Sequence, residues 1–316
     1  MCKTLKDLIL SQNDSIDIKD CYVQTGIEGI LGQMDDELVG LKNVKQRVRE
    51  ISSVLLFDRI RELQDLSSLN SSLHMAFTGA SGTGKTSVAN KVALVLRNLG
   101  FLTKGHLTNV TREDLVGQYV GHTAPKTREQ LQNAQGGILF IDEAHHLYKP
   151  DNERDYGSEA IELLLQVMEN QRDDLILIFS GGKTKIEGFF NSNPGISSRI
   201  GNHIDFPNYE VDDLTDITKF LLNNENRYKF TDETLEILIF YIEQLITFPA
   251  FANARTIKVF VNQLLGYQAV RVENTLTSTG SINYDSLVTI QPEDFRFTQD
   301  DFINIIGSEK VELYKG

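Results

Sequence analysis

The run His74-Met75-Ala76-Phe77-Thr78-Gly79-Ala80-Ser81-Gly82-Thr83-Gly84-Lys85-Thr86 decides how this chain is read. Its first part is an apolar strand pattern, and the rest fills every position of the G-x-x-x-x-G-K-[ST] phosphate-binding loop. The glycines permit a tight turn whose successive N–H groups face inward. The helix that follows, read from about Ser87 to Leu99, brings the positive end of its dipole to the same point. Lys85 is placed to reach the β- and γ-phosphates of a nucleotide and the Thr86 hydroxyl to hold Mg²⁺, so ATP and Mg²⁺ are the expected cofactors. Gly79, Ala80, Ser81, Gly82, Thr83, Gly84, Lys85, Thr86 and Ser87 are the expected nucleotide-binding residues. A plain Gly-rich turn between a core strand and a core helix would not need all of these positions filled.

Downstream, Ile138-Leu139-Phe140-Ile141-Asp142-Glu143 is too apolar for a strand with one solvated face, and reads as a central parallel strand ending in two acids. That edge of an open α/β sheet is where ligands bind. Asp142 can hold the Mg²⁺ shell opposite Thr86, while Glu143 can orient and polarise a water for in-line attack on the γ-phosphate.

The rest of the chain supports this architecture. A loose leader over 1–34 precedes a helix read from Asp35 to Leu69. Strands are read at Gly105 to Val110, Leu175 to Ser180 and His203 to Phe206. Between them lie a helix opened by Thr111, a helix capped by Thr123 and running to about Gln135, and a helix over Ser158 to Glu169. A turn at Asn193-Pro194-Gly195 leads to a short helix carrying Ser197-Ser198-Arg199. Alternating strands and helices predict an α/β fold, a parallel sheet with helices on both faces, over 35–207. From Glu210 the strong strands cease, and helices at Asp212 to Asn223, Asp232 to Thr247 and Asn253 to Asn274 predict a small helical domain over 208–316.

Composition narrows the function. A net charge of −13 in 316 residues, with no basic face standing out, argues against a nucleic-acid partner. No apolar run approaches the roughly 18 residues of a membrane span. The N-terminal residues lack a signal or transit composition, so the chain is expected to work where it is made or to have lost its presequence. Cys2 and Cys21 are the only cysteines and read as free thiols of a reducing compartment. The histidines show no zinc-ligand spacing, and the neighbours His145 and His146 are expected to point apart, so no metal site made of side chains alone is expected.

The phosphate loop, the Phe140-Ile141-Asp142-Glu143 strand and the helical C-terminal domain together resemble an AAA+ ATPase, a P-loop large domain followed by a helical lid. More narrowly, the chain is similar to the CbbX family, the red-type rubisco activases. The matching segments include Gly40-Leu41, Asp114 through Thr127, Pro150 through Gly157, Val167 through Asp174, Asn193 through Ile200 and Phe251-Ala252-Asn253-Ala254-Arg255. They span the chain from about Asp35 to Phe295.

The resemblance implies roles. Arg199 would be an arginine finger completing a neighbour's site, and Arg255 a sensor contacting the γ-phosphate in cis. Ser180 would be a first sensor near the attacking water, and Gly40 and Leu41 would line the adenine pocket. Tyr119, with Gly117, Val120 and Gly121, would form a pore loop gripping substrate polypeptide. It further implies a hexameric ring of one or two subunit types, a chaperone of carbon fixation that frees inhibitory sugar phosphates from rubisco, with ribulose 1,5-bisphosphate as effector. A remodeller with another client and a regulatory ATP-binding subunit of a mixed ring are the alternatives. The plastid stroma is the expected location, since abundant Asn, Ile and Lys suit an AT-rich organellar genome, with the bacterial cytoplasm as alternative.

Three departures stand out. Relatives usually read Ala-Gly-Tyr-Lys-Asp where this chain reads Ser180-Gly181-Gly182-Lys183-Thr184, and the tyrosine pair expected after Glu143-Ala144 is His145-His146. An arginine-rich run expected after Arg255 is reduced to Lys258 and Arg271.

Overall fold

The structure, a computed structural model, describes residues 18–66, 72–149, 155–169, 174–226 and 228–307. Its contacts divide the chain into two units: one runs to Phe206 without Ala80–Thr83, and the other joins Ala80–Thr83 to the chain from Pro207 onward.

The first unit is built on five parallel strands, β1 (Met75–Gly79), β2 (Leu107–Val110), β3 (Ile138–Ile141), β4 (Ile176–Gly181) and β5 (Asn202–Phe206), in the order β2-β3-β4-β1-β5. Parallel neighbours need crossovers, which here are helical. The central strands β1, β3 and β4 are buried at every position, as their unbroken apolar runs require. Edge strand β5 instead alternates, burying Ile204 and Phe206. Phe77 of β1 lies 5.2 Å from Phe206 and 6.4 Å from Phe140 between ring centroids, so three strands share one aromatic core.

The helices of this unit are α1 (Ile18–Gln24), α2 (Ile27–Glu37), α3 (Lys42–Leu63), α4 (Lys85–Asn98), α5 (Arg112–Leu115), α6 (Thr123–Asn133), α7 (Gly157–Glu169), α8 (Lys183–Ser192) and α9 (Pro194–Ser197). Three expectations need correction. The leader is not loose over its described part. In α2, Ile27, Ile30, Leu31 and Met34 are buried at helical spacing, and the helix is tied to α4 by a 2.8 Å ion pair between Glu37 and Lys91. The helix expected from Asp35 is two helices, because Gly40 and Leu41 take left-handed φ of 66° and 54° between them. For a leucine that conformation costs about 1–2 kcal/mol, and its burial offsets the cost. Helix α8 went unread, although Ile186, Phe189 and Phe190 are buried at i, i+3 and i+4.

Capping was half legible. Thr111 forms the capping box with Asp114 that its spacing suggests. Thr123, however, is the first residue of α6 and not its cap: His122 holds that position, and the Thr123 hydroxyl accepts from the Gly117 N–H at 3.0 Å. Thr127 donates to the Leu115 carbonyl at 2.9 Å. Two buried threonines thus pin the ends of the loop between α5 and α6.

At the start of β1, His74 is buried and accepts from the Leu177 N–H through Nδ1 at 3.0 Å. Burial lowers its pKa from 6.5 to about 4, against a backbone hydrogen bond to Met168 that raises it. Between those values the unfolded chain binds the proton and the folded chain does not, so stability falls as pH drops through this window. We expect acidification from pH 7 to pH 5 to cost roughly 2 kcal/mol through this residue. Urea unfolding of wild type and His74→Asn at the two pH values reads it: the pH-dependent loss shrinks by that amount in the variant, and an equal loss in both rules it out.

The second unit contains α10 (Val211–Asn226), α11 (Asp232–Ile246), α12 (Asn253–Thr279), α13 (Tyr284–Val288) and α14 (Gln299–Ile306). Thr231, Asn283 and Thr298 cap α11, α13 and α14 with side-chain oxygens. The two short helices were not read from the sequence. Tyr241 stacks on Phe295 and Phe302 at 5.6 and 5.8 Å, and Phe260 on Phe297 at 4.6 Å. Arg271 is buried and makes a bidentate pair with the fully buried Asp294, at 2.6 and 3.0 Å. That arginine is committed to holding the fold.

Candidate active site

The site grows from the carboxyl ends of β1, β3 and β4. At the end of β1 the chain enters the phosphate loop, where Gly82 and Gly84 adopt left-handed φ of 74° and 93° that a side chain would strain. Lys85, buried at the start of α4, donates from Nζ to the Gly79 carbonyl at 2.8 Å and so spans the mouth of the loop. Thr86 follows it, exposed. A left-handed backbone, an ammonium at the mouth and an open hydroxyl at a helix start fit a nucleotide phosphate and its Mg²⁺.

The middle of the loop, Ala80–Thr83, packs within the second unit. Asn253 reaches it: Nδ2 donates to the Ser81 carbonyl at 3.2 Å, while Oδ1 accepts from the Tyr209 N–H at 3.1 Å. The Ala254 N–H donates to the Gly82 carbonyl at 3.2 Å, and a Cβ on Gly82 would lie 2.0 Å from the Ala252 carbonyl oxygen. Asn253 is 1% exposed with a left-handed φ of 49°. Nothing in the sequence marks it for a role, although it lies in the Phe251 to Arg255 segment that carries Arg255. Arg255 itself is exposed in the first turn of α12, where the helix dipole does not favour a cation.

On the other side of the site, pairing of Ile141 with Phe179 brings Asp142 level with Ser180. Ser180 is fully buried and donates to Asp142 Oδ1 at 3.2 Å, and the Glu143 N–H reaches the same oxygen at 3.1 Å. This carboxylate is held by two donors, as a metal-shell ligand should be. Glu143 then turns with φ and ψ of 47° into a 3₁₀ turn, Ala144–Leu147. A non-glycine residue in that conformation carries strain of about 1–3 kcal/mol, of the kind found where a side chain must be aimed. Glu143 opens onto a cleft of about 480 Å³ with Thr111, Arg112, Glu113, Asp142, His146 and Lys149.

The histidine pair departs from expectation. His145 and His146 do not diverge: their ring centroids lie 4.1 Å apart at a 37° tilt. His145 Nδ1 stands 3.3 Å from Glu143 Oε2, yet both ring nitrogens of His145 are buried without a hydrogen-bond partner among the described residues. Burial first, and then the neighbouring His146, hold the His145 imidazole below its usual range, while Glu143 pulls the other way. The ring is therefore neutral near pH 7, and its contact with Glu143 is no ion pair.

Other expected site residues are placed as follows. Gly40 and Leu41 form the break between α2 and α3, just beyond the Glu37–Lys91 pair that ties this segment to α4. Arg199, past α9, bonds Glu169 Oε1 at 2.5 Å and the Gly195 carbonyl at 2.6 Å. Tyr119 and Val120 are 67% and 80% exposed. Tyr119 meets the edge of His122, 5.5 Å between centroids, over an open cleft of about 480 Å³ shared with Gly117, Gln118, Pro125, Lys126 and Glu129. Gly117 must be small, since a Cβ would lie 2.5 Å from that of His122. Cys2 and the segments 150–154 and 170–173, which carry part of the family likeness, lie outside the described residues.

Residues 75–208 match the ATPase family associated with various cellular activities (AAA), and 210–303 match the AAA lid domain. The chain is 52% identical to "Protein CfxQ homolog" of Galdieria sulphuraria, over 92% of its own length and 94% of that protein's. The chain belongs to the CfxQ/CbxX family of AAA ATPases. It is 50% identical to the "Ribulose bisphosphate carboxylase/oxygenase activase, chloroplastic" of Cyanidioschyzon merolae, covering 90% of this chain and 97% of that one. Against "Protein CbxX, chromosomal" of Cupriavidus necator the identity is 49%, with coverage of 88% and 86%. Among solved structures, the FIGL-1 AAA domain in complex with ADP superposes with a TM-score of 0.55 over 91% of this chain and 94% of that one; at 16% identity the likeness is one of fold. This AAA ATPase is therefore a nucleotide-binding enzyme of P-loop architecture with a helical lid. No helix of its described residues is long and apolar enough to cross a membrane.

Proposed function

We propose that this AAA ATPase binds ATP with Mg²⁺ and uses its hydrolysis to remodel red-type rubisco, freeing inhibitory sugar phosphates from the rubisco active sites. The observation that carries the reading is the Tyr119-Val120 loop: two large apolar side chains held out to solvent on a loop whose ends are pinned by buried threonines. Exposed aromatic surface on a fixed loop suits transient gripping of a polypeptide. The names of the rubisco activase and CbxX relatives supply the client.

In this reading Thr86 and Asp142 hold Mg²⁺, Lys85 and the loop hold the phosphates, and Glu143 orients the water. Ser180 fixes Asp142 and senses the γ-phosphate side. Arg255 contacts the γ-phosphate in cis, Gly40 and Leu41 receive the adenine, and subunits close into a hexameric ring in the plastid stroma. Arg199 completes a neighbour's site, exchanging its Glu169 partner for the neighbour's phosphate. Ribulose 1,5-bisphosphate is the effector, and its site does not include Arg271, which Asp294 already holds.

The test is reactivation of sugar-phosphate-inhibited red-type rubisco by the chain with ATP, alone and mixed with a second family member. Restored carboxylation, with ATPase at saturating ATP raised by ribulose 1,5-bisphosphate, is expected. Turnover of ATP without reactivation in either mixture moves the assignment to a remodeller with another client, and failure to turn over ATP moves it to a regulatory subunit.

A further inference from the structure

The cluster at the end of β3 includes two histidines to which ATP hydrolysis assigns no part. Glu143, His145 and His146 each present one ligand atom, and these atoms lie within 4.8 Å of one another. Two donors about 2.1 Å from a tetrahedral zinc ion stand about 3.4 Å apart. His145 Nδ1 and Glu143 Oε2 stand 3.3 Å apart without forming a hydrogen bond, which is the spacing of two ligands around one ion. A half-buried imidazole whose two ring nitrogens are both buried and unpaired is uncommon, because each unpaired nitrogen has lost its water. Coordination would satisfy the nitrogen that faces Glu143. His146 is exposed and shares the open cleft with Glu143, so an ion has a way in and a water can take the fourth position. Two imidazoles and one carboxylate select a borderline divalent transition metal over Mg²⁺, which prefers oxygen ligands.

We propose that Glu143, His145 and His146 form a three-ligand site for a divalent transition metal ion of the zinc class, whose occupancy switches off ATP hydrolysis. The second half rests on reading Glu143 as the water-orienting group: a carboxylate bound to the ion cannot accept a proton from the attacking water. The site would make this subunit's turnover answer to metal availability while leaving the phosphate loop untouched.

The probe is Co²⁺, titrated into the full-length, nucleotide-free chain. Intense visible ligand-field bands of a four-coordinate site without thiolate charge-transfer absorption are expected, saturating at one ion per chain. His146→Gln and Glu143→Gln should each weaken binding at least about tenfold, and His122→Gln should leave it unchanged. Zn²⁺ should then inhibit Mg²⁺-ATP turnover of the wild type, reversibly with a chelator too weak for Mg²⁺. In His146→Gln, inhibition should require at least about tenfold more Zn²⁺, with the metal-free rate within about twofold of wild type. Unchanged Co²⁺ affinity in His146→Gln, or thiolate bands, overturns the site. Binding as expected but with no inhibition overturns the switch alone. The Co²⁺ spectrum is read without nucleotide, so it stands even if the chain turns over no ATP.

Discussion

Glu143→Gln will bind ATP as the wild type does and lose its turnover by about 10²-fold or more, whereas Lys85→Ala will lose ATP binding itself. The two differ because of where the side chains stand. Lys85 spans the mouth of the phosphate loop through its 2.8 Å bond to the Gly79 carbonyl, so its removal takes the positive charge out of the cradle. Glu143 lies at the other strand end, beyond Asp142, with its carboxylate 3.3 Å from His145 Nδ1. The amide keeps the size and the left-handed turn but cannot take a proton, and loss of a general base typically costs 10²–10⁴-fold. Nucleotide titration by fluorescence and a phosphate-release assay on the same preparations separate the two outcomes. Equal turnover in wild type and Glu143→Gln would remove Glu143 from the reaction. Adding a zinc-selective chelator to both arms keeps the result independent of any ion held by the histidine pair.

Most of this site was legible because its chemistry is written in contiguous residues. A loop that must cradle phosphates needs glycines, a lysine and a hydroxyl at fixed spacing, and a buried parallel strand ending in two acids names itself by its apolar run. What escaped depends on tertiary placement. The spacing of Ile27, Ile30, Leu31 and Met34 is helical, but the apolar face of α2 counts as core only once the chain packs it away from water. Helix α8 hid behind Gly188, whose low helix propensity obscured a short apolar face completed only by the phenylalanine cluster beneath β4. Asn253 could not be found from composition, since its value lies in reaching the Ser81 carbonyl across more than half the chain. The histidine pair misled for a geometric reason. Adjacent residues diverge on a strand or an α-helix, but the left-handed turn at Glu143 and the 3₁₀ turn after it fold the two rings together. Arg271, one of the two cations that remain of the arginine-rich run, is spent on Asp294.

Tyr119→Ala will leave basal ATP hydrolysis within about twofold of wild type while rubisco reactivation falls by more than about tenfold. Tyr119 belongs to a cleft formed by its own loop and the first turns of α6, with none of Lys85, Thr86, Asp142, Glu143 or Ser180 among its lining. Its one ring partner among the described residues is His122, met edge-on, so truncation removes little that stabilises the fold. The loop backbone is held independently by Thr123 and Thr127, and Gly121 keeps its left-handed φ of 79°. What alanine loses is a wide, stiff, amphipathic surface that can press on an extended peptide at low entropic cost. Truncating such an aromatic anchor in a contact typically costs 2 kcal/mol or more, about thirtyfold in grip. Val120, the more exposed of the pair, offers less area, so Val120→Ala should fall between Tyr119→Ala and wild type in reactivation with the same ATPase rate. Full reactivation by Tyr119→Ala would show that force reaches the client through another surface. Loss of ATPase and reactivation together would show that the loop belongs to the hydrolytic machinery rather than to the grip.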